Sequence, residues 1–346
     1  EEYATRVCDR VLSAAIEQRV SDIHIEKERQ QVRFRWRRDG VLHEIGCCPD
    51  GVNTQVLPRI KALARLITYR HDIPQEGRLV LADRQLEARV GTLPTLHGER
   101  AVIRLASATT RQWLPDELGM PEPVIARYTQ SLDAASGVVL ITGTAGAGKT
   151  TTAYAGLRYL LQHGTRARSL VSLEDPIESE IAGVSQSQIN VAAGYSWTEG
   201  LKALLRQDPE VMLIGEIRDA ETAAVVFQAA MTGQLVISTM HARSAGDAVR
   251  RLLDLQVPVH HLRSGLDFLL CQRLVFATTP EGPSSDSPTS NASSLTFNPV
   301  GSVARIPQVE LLPNIEGPLA QALQTDASST DIELASVAMG MRRFGS

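Results

Sequence analysis

The stretch Gly143-Thr144-Ala145-Gly146-Ala147-Gly148-Lys149-Thr150 constrains this chain more than any other. It matches the pattern G-x-x-x-x-G-K-[ST], with Gly143, Gly148, Lys149 and Thr150 at the fixed places. At average residue usage such a match arises by chance in about one chain in a hundred of this length. The flanks make chance a poorer explanation still. Gly137 to Ile141 is a short apolar run rich in β-branched residues and reads as a buried strand. Thr151 to Leu161 reads as a helix, with Tyr154, Leu157, Tyr159, Leu160 and Leu161 as its apolar members. Strand, glycine-rich loop and helix predict a site for nucleotide phosphates. Glycines let backbone N–H groups converge on phosphate oxygens, and the helix N-terminus adds partial positive charge. Thr144, Ala145, Gly146, Ala147 and Thr151 therefore join the fixed residues as candidate contacts. Lys149 can reach the β- and γ-phosphates, and the Thr150 hydroxyl can ligate Mg²⁺.

The length of 346 residues predicts two domains. A composition of 43% hydrophobic and 21% charged residues suits a globular protein with a sizeable core, and a net charge of −4 gives no push toward nucleic acid or anionic membrane. Three uncharged stretches reach bilayer length: Ile181–Thr198, Thr222–Ala242 and Ser287–Ala304. The first and last are rich in Ser, Gln and Asn, and Thr232-Gly233-Gln234 breaks the second, so no transmembrane helix is predicted. No signal peptide is expected, because the opening residues lack a basic and then an apolar region. Cys8, Cys47, Cys48 and Cys271 form no C-x-x-C pair, so neither zinc nor a disulfide framework is expected. A reducing cytoplasm is the default compartment.

Residues 1 to 106 read as an α+β domain on antiparallel sheet. Ala4 to Gln18 has an apolar helical face at Val7, Val11, Leu12, Ala15 and Ile16. Ser21 to Glu26 alternates polar and apolar, as does Val32 to Arg38. Val32, Phe34 and Trp36 would face a core, and Arg33, Arg35 and Arg37 solvent. Asp39-Gly40 predicts a turn into a return strand at Val41–Ile45. A helix over Thr54–Leu66 and strands at Leu79–Leu81, Leu86–Val90 and Glu99–Leu105 follow. Arg78, Arg89, Arg100 and Arg104 have two readings: surface ion-pair partners worth little, or arginines that reach a nucleotide across a domain or subunit contact. Spacing alone favours the first. Residues 107–116 read as a linker, and a hinge there would let one domain close over nucleotide bound to the other.

Residues 117–346 read as the phosphate-binding domain. A helix over Pro123–Leu132 leads to the loop strand. Arg168–Leu173 is a strand that ends in Glu174-Asp175-Pro176-Ile177-Glu178. A carboxylate at the C-terminal end of a core strand is placed to face Mg²⁺ or a water. Val211-Met212-Leu213-Ile214 is a second apolar strand, with Gly215 at the usual Asp position and Glu216 behind it. Glu216 is the candidate to orient or deprotonate an attacking water. Gly233 to His241 is a third strand, whose end places His241 as a candidate sensor of the γ-phosphate. Helices are predicted over Trp197–Leu205, Glu221–Met231, Ser244–Leu255 and Leu266–Val275. Residues 278–300 read as a mobile Ser/Pro-rich loop, and two short helices, Pro318–Gln324 and Thr330–Met339, close the chain.

The ordered set of motifs resembles the secretion ATPases of the type II secretion and type IV pilus superfamily. Ser21-Asp22-Ile23-His24-Ile25-Glu26, Gln75-Glu76-Gly77-Arg78, Arg89 to Pro94 and Gly98 to Leu105 are similar to its N-terminal segments. Glu174 to Glu178 resembles its Asp box, Gly215 to Asp219 its Walker B and Thr232 to His241 its His box. The resemblance implies an α/β fold with a RecA-like P-loop core and a PAS-like α+β domain. It also implies that Arg78, Arg89 and Arg104 contact nucleotide, in cis or from a neighbouring subunit. Glu174 and His241 would belong to the active site, with Glu174 and Glu216 near the metal and Arg218 linking the site to its surroundings. ATP and Mg²⁺ are the implied substrate and cofactor. The implied assembly is a homo-hexamer on the cytoplasmic face of the inner membrane, peripherally attached through a platform protein and a cytoplasmic docking protein.

The chain departs from the family pattern in places. Thr144, Ala145 and Ala147 replace the usual Pro, Thr and Ser, with little effect expected where backbone N–H groups do the binding. Gln234 replaces the first His of the His box. The Ser/Pro-rich segment stands where assembly motors often carry a four-cysteine zinc site, so no zinc is expected. No further N-terminal docking domain is expected. Alternatives are a retraction motor, a conjugation-type secretion ATPase, a non-hydrolysing nucleotide-binding scaffold and a nucleic-acid translocase. The acidic balance weighs against the last.

Overall fold

The computed structural model describes residues 2–18, 20–38, 40–81, 86–106, 112–164, 167–276, 305–312, 317–323, 328–339 and 341. The described residues divide into two compact units, one running to residue 106 and one from residue 112. The expected Ser/Pro-rich loop at 278–300 lies outside the described residues, as do 107–111 of the expected linker.

In the first unit the order is α1 (Glu2–Glu17), β1 (Asp22–Lys27), β2 (Gln31–Arg38), β3 (Val41–Pro49), α2 (Asp50–Leu63), β4 (Gln75–Leu81), β5 (Leu86–Thr95) and β6 (Gly98–Ala106). The strands form one antiparallel sheet in the order β3-β2-β1-β6-β5-β4. Period-two alternation decides its faces. Ile23, Ile25, Val32, Phe34, Trp36, Val90, Ala101 and Ile103 are buried with Val7, Val11 and Leu12 of α1 and Val56 and Ile60 of α2. Arg33, Arg35 and Arg37 take the opposite face and are half-buried there.

In the second unit the order is α3 (Glu122–Asp133), β7 (Gly137–Thr142), α4 (Lys149–His163), β8 (Leu170–Glu174), β9 (Ser185–Gln188), α5 (Trp197–Leu204), β10 (Val211–Ile214), α6 (Ala220–Met231), β11 (Leu235–Met240), α7 (Ala245–Asp254), α8 (Val259–Gly265), β12 (Leu266–Phe276), β13 (Arg305–Leu311), α9 (Gly317–Ala322) and α10 (Ser329–Ala338). Seven strands form one sheet in the order β13-β12-β7-β11-β10-β8-β9, parallel except for the β12–β13 pair. Its central strands β7, β10 and β11 are buried along their whole length because both faces are covered. Val139, Ile141, Leu213 and Ile237 pack with Tyr128 and Leu132 of α3 and Leu157 of α4. Val138, Leu140, Ile214 and Val236 pack with Phe227 of α6 and Val249 of α7.

One expectation fails here. Leu266–Val275, read as a helix, is strand β12. It pairs with β7 on one side and β13 on the other, and Phe268, Leu269, Leu270 and Cys271 are buried in succession. A strand covered on both faces shows no alternation, and its apolar run then looks like a buried helix.

Candidate active site

The parallel strands put their C-terminal ends side by side, where open α/β sheets bind ligands. Gly143 follows β7, Glu174 ends β8, Gly215 and Glu216 follow β10, and His241 follows β11. Glu174, Gly215, Glu216 and His241 border a cleft of about 300 Å³ that also takes in Gly146, Lys149 and Thr150.

The loop from Gly143 to Gly148 is shaped by glycine. Gly143 has φ +152, and a Cβ there would lie 2.3 Å from the Gln272 carbonyl oxygen. Gly148, φ 86, is the N-cap of α4 and supplies no side-chain acceptor to the helix. The first amides of α4 thus remain as donors for an anion. Thr144, Ala145, Gly146 and Thr150 are exposed, Thr151 is half-buried and Ala147 is buried. The Lys149 ammonium donates to the carbonyls of Gly143 at 3.0 Å and Thr144 at 3.1 Å. Burial pulls the Lys149 pKa down, against the pull of Glu216.

Glu216 stands between two cationic or polar partners. One oxygen accepts from Arg218 Nε at 2.8 Å, and the other lies 3.5 Å from His241 Nε2. Arg218 also reaches Asp175 Oδ2 at 4.0 Å. His241 Nδ1 lies 3.4 Å from Lys149 Nζ. An ammonium only donates, so its neighbours assign Nδ1 as the acceptor and Nε2 as the ring N–H facing Glu216.

Glu174 is set differently. It is 3% exposed. Its oxygens accept from the Tyr154 hydroxyl at 2.5 Å, the Ser172 hydroxyl at 2.7 Å and the Gln186 amide at 3.1 Å. Burial first, and then Glu174, push the Tyr154 phenol up, so it stays protonated and donates. Glu216, by contrast, is 17% exposed and borders the cleft with its Oε1 unclaimed by a close donor. The two strand-end carboxylates are thus a fixed one and an available one.

These donors fit Mg²⁺. The Thr150 hydroxyl and the Glu216 and Glu174 carboxylates are hard oxygen ligands bordering one cleft. Among the described residues no group of three or more His, Cys, Asp or Glu could hold a metal. Mg²⁺ ordinarily needs no such cage, being held by one or two protein oxygens, phosphates and waters.

In the first unit, pairing brings together arginines far apart in sequence. Arg78 on β4 is opposite Arg89 on β5, and Arg89 is opposite Arg104 on β6. All three are exposed, and Arg104 Nε donates to Asp22 Oδ1 at 2.9 Å. Like charges directly opposite across strands are destabilising, so the row is not explained by the stability of its own sheet.

Sequence reasoning missed Tyr154, Ser172 and Gln186, which hold Glu174. Tyr154 counted only as an apolar member of its helix, although a buried tyrosine hydroxyl needs a partner. Gln272, buried on β12, was hidden inside the run read as a helix.

The sequence profile of the family described as Type II/IV secretion system protein matches residues 1–308. A putative type II secretion system protein E of Escherichia coli (strain K12) is 41% identical over 278 residues, 80% of this chain and 56% of that protein. The type II secretion system ATPase E of Vibrio cholerae is 38% identical over 278 residues, 80% and 55% of the two chains. The chain thus spans about half the length of the curated relatives it matches. Among solved structures, the Legionella pneumophila ATPase DotB superposes with a TM-score of 0.68 at 19% identity, over 96% of this chain and 86% of that one. The pilus retraction motor PilT with bound ADP gives 0.63 at 22%, over 96% and 93%. At these identities the two structures bear on the fold alone.

Proposed function

The chain belongs to the Type II/IV secretion system protein family, and from that premise we propose that it is the ATP-hydrolysing part of a hexameric motor. The motor powers assembly of a type IV pilus or type II secretion pseudopilus. The chain acts at the cytoplasmic face of the inner membrane, on a platform protein and beside a docking protein. The observation that carries this reading is the convergence of Lys149, Glu216 and His241 on the exposed glycine loop at the sheet's C-terminal edge. The strand order around β7 supports a RecA-like core, and the antiparallel sheet backed by α1 and α2 supports a PAS-like first domain.

In this reading the loop amides and the α4 N-terminus hold the β- and γ-phosphates of ATP. Lys149 exchanges the Gly143 and Thr144 carbonyls for phosphate oxygens. Thr150, with Glu216 and Glu174 nearby, would hold Mg²⁺, and the ion would supply charge neutralisation at the phosphates. Glu216 takes a proton from the attacking water as the water oxygen bonds to the γ-phosphorus and the bond to the β-phosphate oxygen breaks. Glu174 keeps the wall of the cleft in place. His241, touching both Lys149 and Glu216, reports whether a γ-phosphate is present, and Arg218 carries that state to Asp175. Arg78, Arg89 and Arg104 offer guanidinium forks to a nucleotide's phosphates.

ATP turnover by wild type, Lys149→Ala and Glu216→Gln tests the reading. Wild type should hydrolyse ATP, Lys149→Ala should lose nucleotide binding, and Glu216→Gln should bind ATP yet turn over at least about 100-fold more slowly. Unchanged turnover in Glu216→Gln would remove Glu216 as the base. Light scattering with nucleotide tests the ring, and a rate stimulated by single-stranded DNA would favour a translocase instead.

A further inference from the structure

Gln272 lies in β12 one residue beyond Cys271, the position that pairs with Thr142, the last residue of β7. It is 2% exposed. Its Nε2 donates to the Ala147 carbonyl at 2.6 Å, and its Oε1 accepts from the Thr152 hydroxyl at 3.0 Å. One side chain therefore ties the end of the glycine loop to the first turn of α4. The backbone carbonyl oxygen of the same residue sits 2.3 Å from where a Cβ on Gly143 would go, and its side-chain Nε2 is 3.2 Å from where one on Gly148 would stand. Both ends of the loop are fitted against this one residue.

We propose that Gln272 is a positioning residue for the phosphate site, holding the amides of the Gly143–Gly148 loop in the arrangement that phosphate oxygens require. This rests on the reading of the loop as a nucleotide site. The second side chain that grips the loop, Lys149, does so through the Gly143 and Thr144 carbonyls. Lys149 must release them to meet a phosphate. Gln272 contacts no atom that the phosphates would need, so its grip persists when the site fills. A loop rich in glycine has the most conformational freedom to lose on binding, and holding it beforehand leaves less to be lost then. The contact needs one donor and one acceptor on the same short arm. Only an amide of this length supplies both in neutral form, and Glu supplies them only when protonated.

The full chain is the material for the test, with Mg·ADP affinity and turnover read for wild type, Gln272→Glu, Gln272→Met and Thr152→Val. Gln272→Met should bind Mg·ADP about tenfold or more weakly, with a smaller effect from Thr152→Val. Gln272→Glu should bind weakly at pH 8 and recover relative to wild type as pH falls toward 5.5, when its carboxyl regains a proton to donate to Ala147. A merely structural residue would give no such recovery. If Gln272→Met does not fold, the pH profile of Gln272→Glu and the affinity of Thr152→Val still decide. Wild-type affinity in the folded variants, or a Gln272→Glu profile parallel to wild type, would overturn the proposal. Lys149→Ala separates the two readings. If it binds normally, the nucleotide site itself is wrong; if it alone binds weakly, only the role of Gln272 falls.

Discussion

Replacing Tyr154 by Phe removes one oxygen and little volume, so it reads the grip on Glu174 directly. The lost bond is from a hydroxyl to a carboxylate, 2.5 Å long, at a residue only 3% exposed. Hydrogen bonds to charged groups contribute about 1.5–3 kcal/mol. The same hydroxyl also accepts from the Glu178 amide at 3.2 Å, so Phe leaves a second group without its partner. The half-buried setting of that amide holds its contribution to less than about 1 kcal/mol. Tyr154→Phe should therefore destabilise the second unit by about 2–3 kcal/mol, a fall in melting temperature of roughly 4–12 °C for a unit of this size. A double-mutant cycle isolates the charge. In a Glu174→Gln background the phenol faces a neutral carbonyl, and removing its hydroxyl should cost only about 1 kcal/mol. Urea unfolding of all four proteins supplies the numbers. Tyr154→Phe within about 0.5 kcal/mol of wild type, or equal losses in both backgrounds, would refute the view that Glu174 is a carboxylate fixed by three protein donors.

Lys61, fully buried, donates to Glu99 at 2.8 Å and to the Arg70 carbonyl. Lys61→Met should destabilise the first unit by about 3–5 kcal/mol, and adding Glu99→Leu should restore most of that, as urea midpoints would show. Gly156 lies inside α4, where Ala ordinarily adds about 0.5–1 kcal/mol. A Cβ there would sit 2.3 Å from the Tyr128 hydroxyl and 3.2 Å from Leu132, so Gly156→Ala should instead destabilise by about 1–3 kcal/mol in thermal melts. His24 has its pKa lowered by burial first, then by Arg100 and Arg37. The unfolded chain takes up that proton near pH 6.5 and the folded one resists it. Stability from His24 is thus full above about pH 6.5 and is lost as pH falls from there toward the folded value. The protection factors of β1 and β2 amides, each observed exchange rate set against its intrinsic rate at the same pH, should fall over that range in wild type and respond less in His24→Asn.

Local chemistry made the glycine loop legible, because each of its features is a neighbour effect: strand, turn, helix start. The faces of β2 were legible too, since alternation with one face on a core leaves a period-two trace in Val32, Phe34 and Trp36. β12 was not, since its identity depends on neighbours on both edges that lie far off in sequence. β9 left no trace either. Ser185-Gln186-Ser187-Gln188 is an edge strand with no buried residue, held by β8 alone. Glu174 and Glu216 could be found as strand-end acids, with Glu216 read as the base, but the different hold on each was not legible. What separates them is the donors that approach from Tyr154, Ser172 and Gln186, and only the tertiary fold brings those in.

The arginine row makes the same point from the other side. Each of Arg78, Arg89 and Arg104 looks like an ordinary surface residue until the register of β4, β5 and β6 is known. Once aligned, they stand in directly opposed pairs, where like charges are destabilising. The sheet could avoid this by placing an acid in the middle strand, as β1 does when Asp22 stands opposite Arg104 on one side and Arg37 on the other. At Arg89 it does not. The row gathers positive charge on one face of the sheet, and a patch of one sign draws an anion to it. In the proposed function that anion is the phosphate chain of a nucleotide. A ligand bound there would relieve the repulsion and stabilise the first unit, so the chain should melt at a higher temperature with Mg·ATP than without it, and an unchanged melt of that unit would count against the arginines as phosphate contacts.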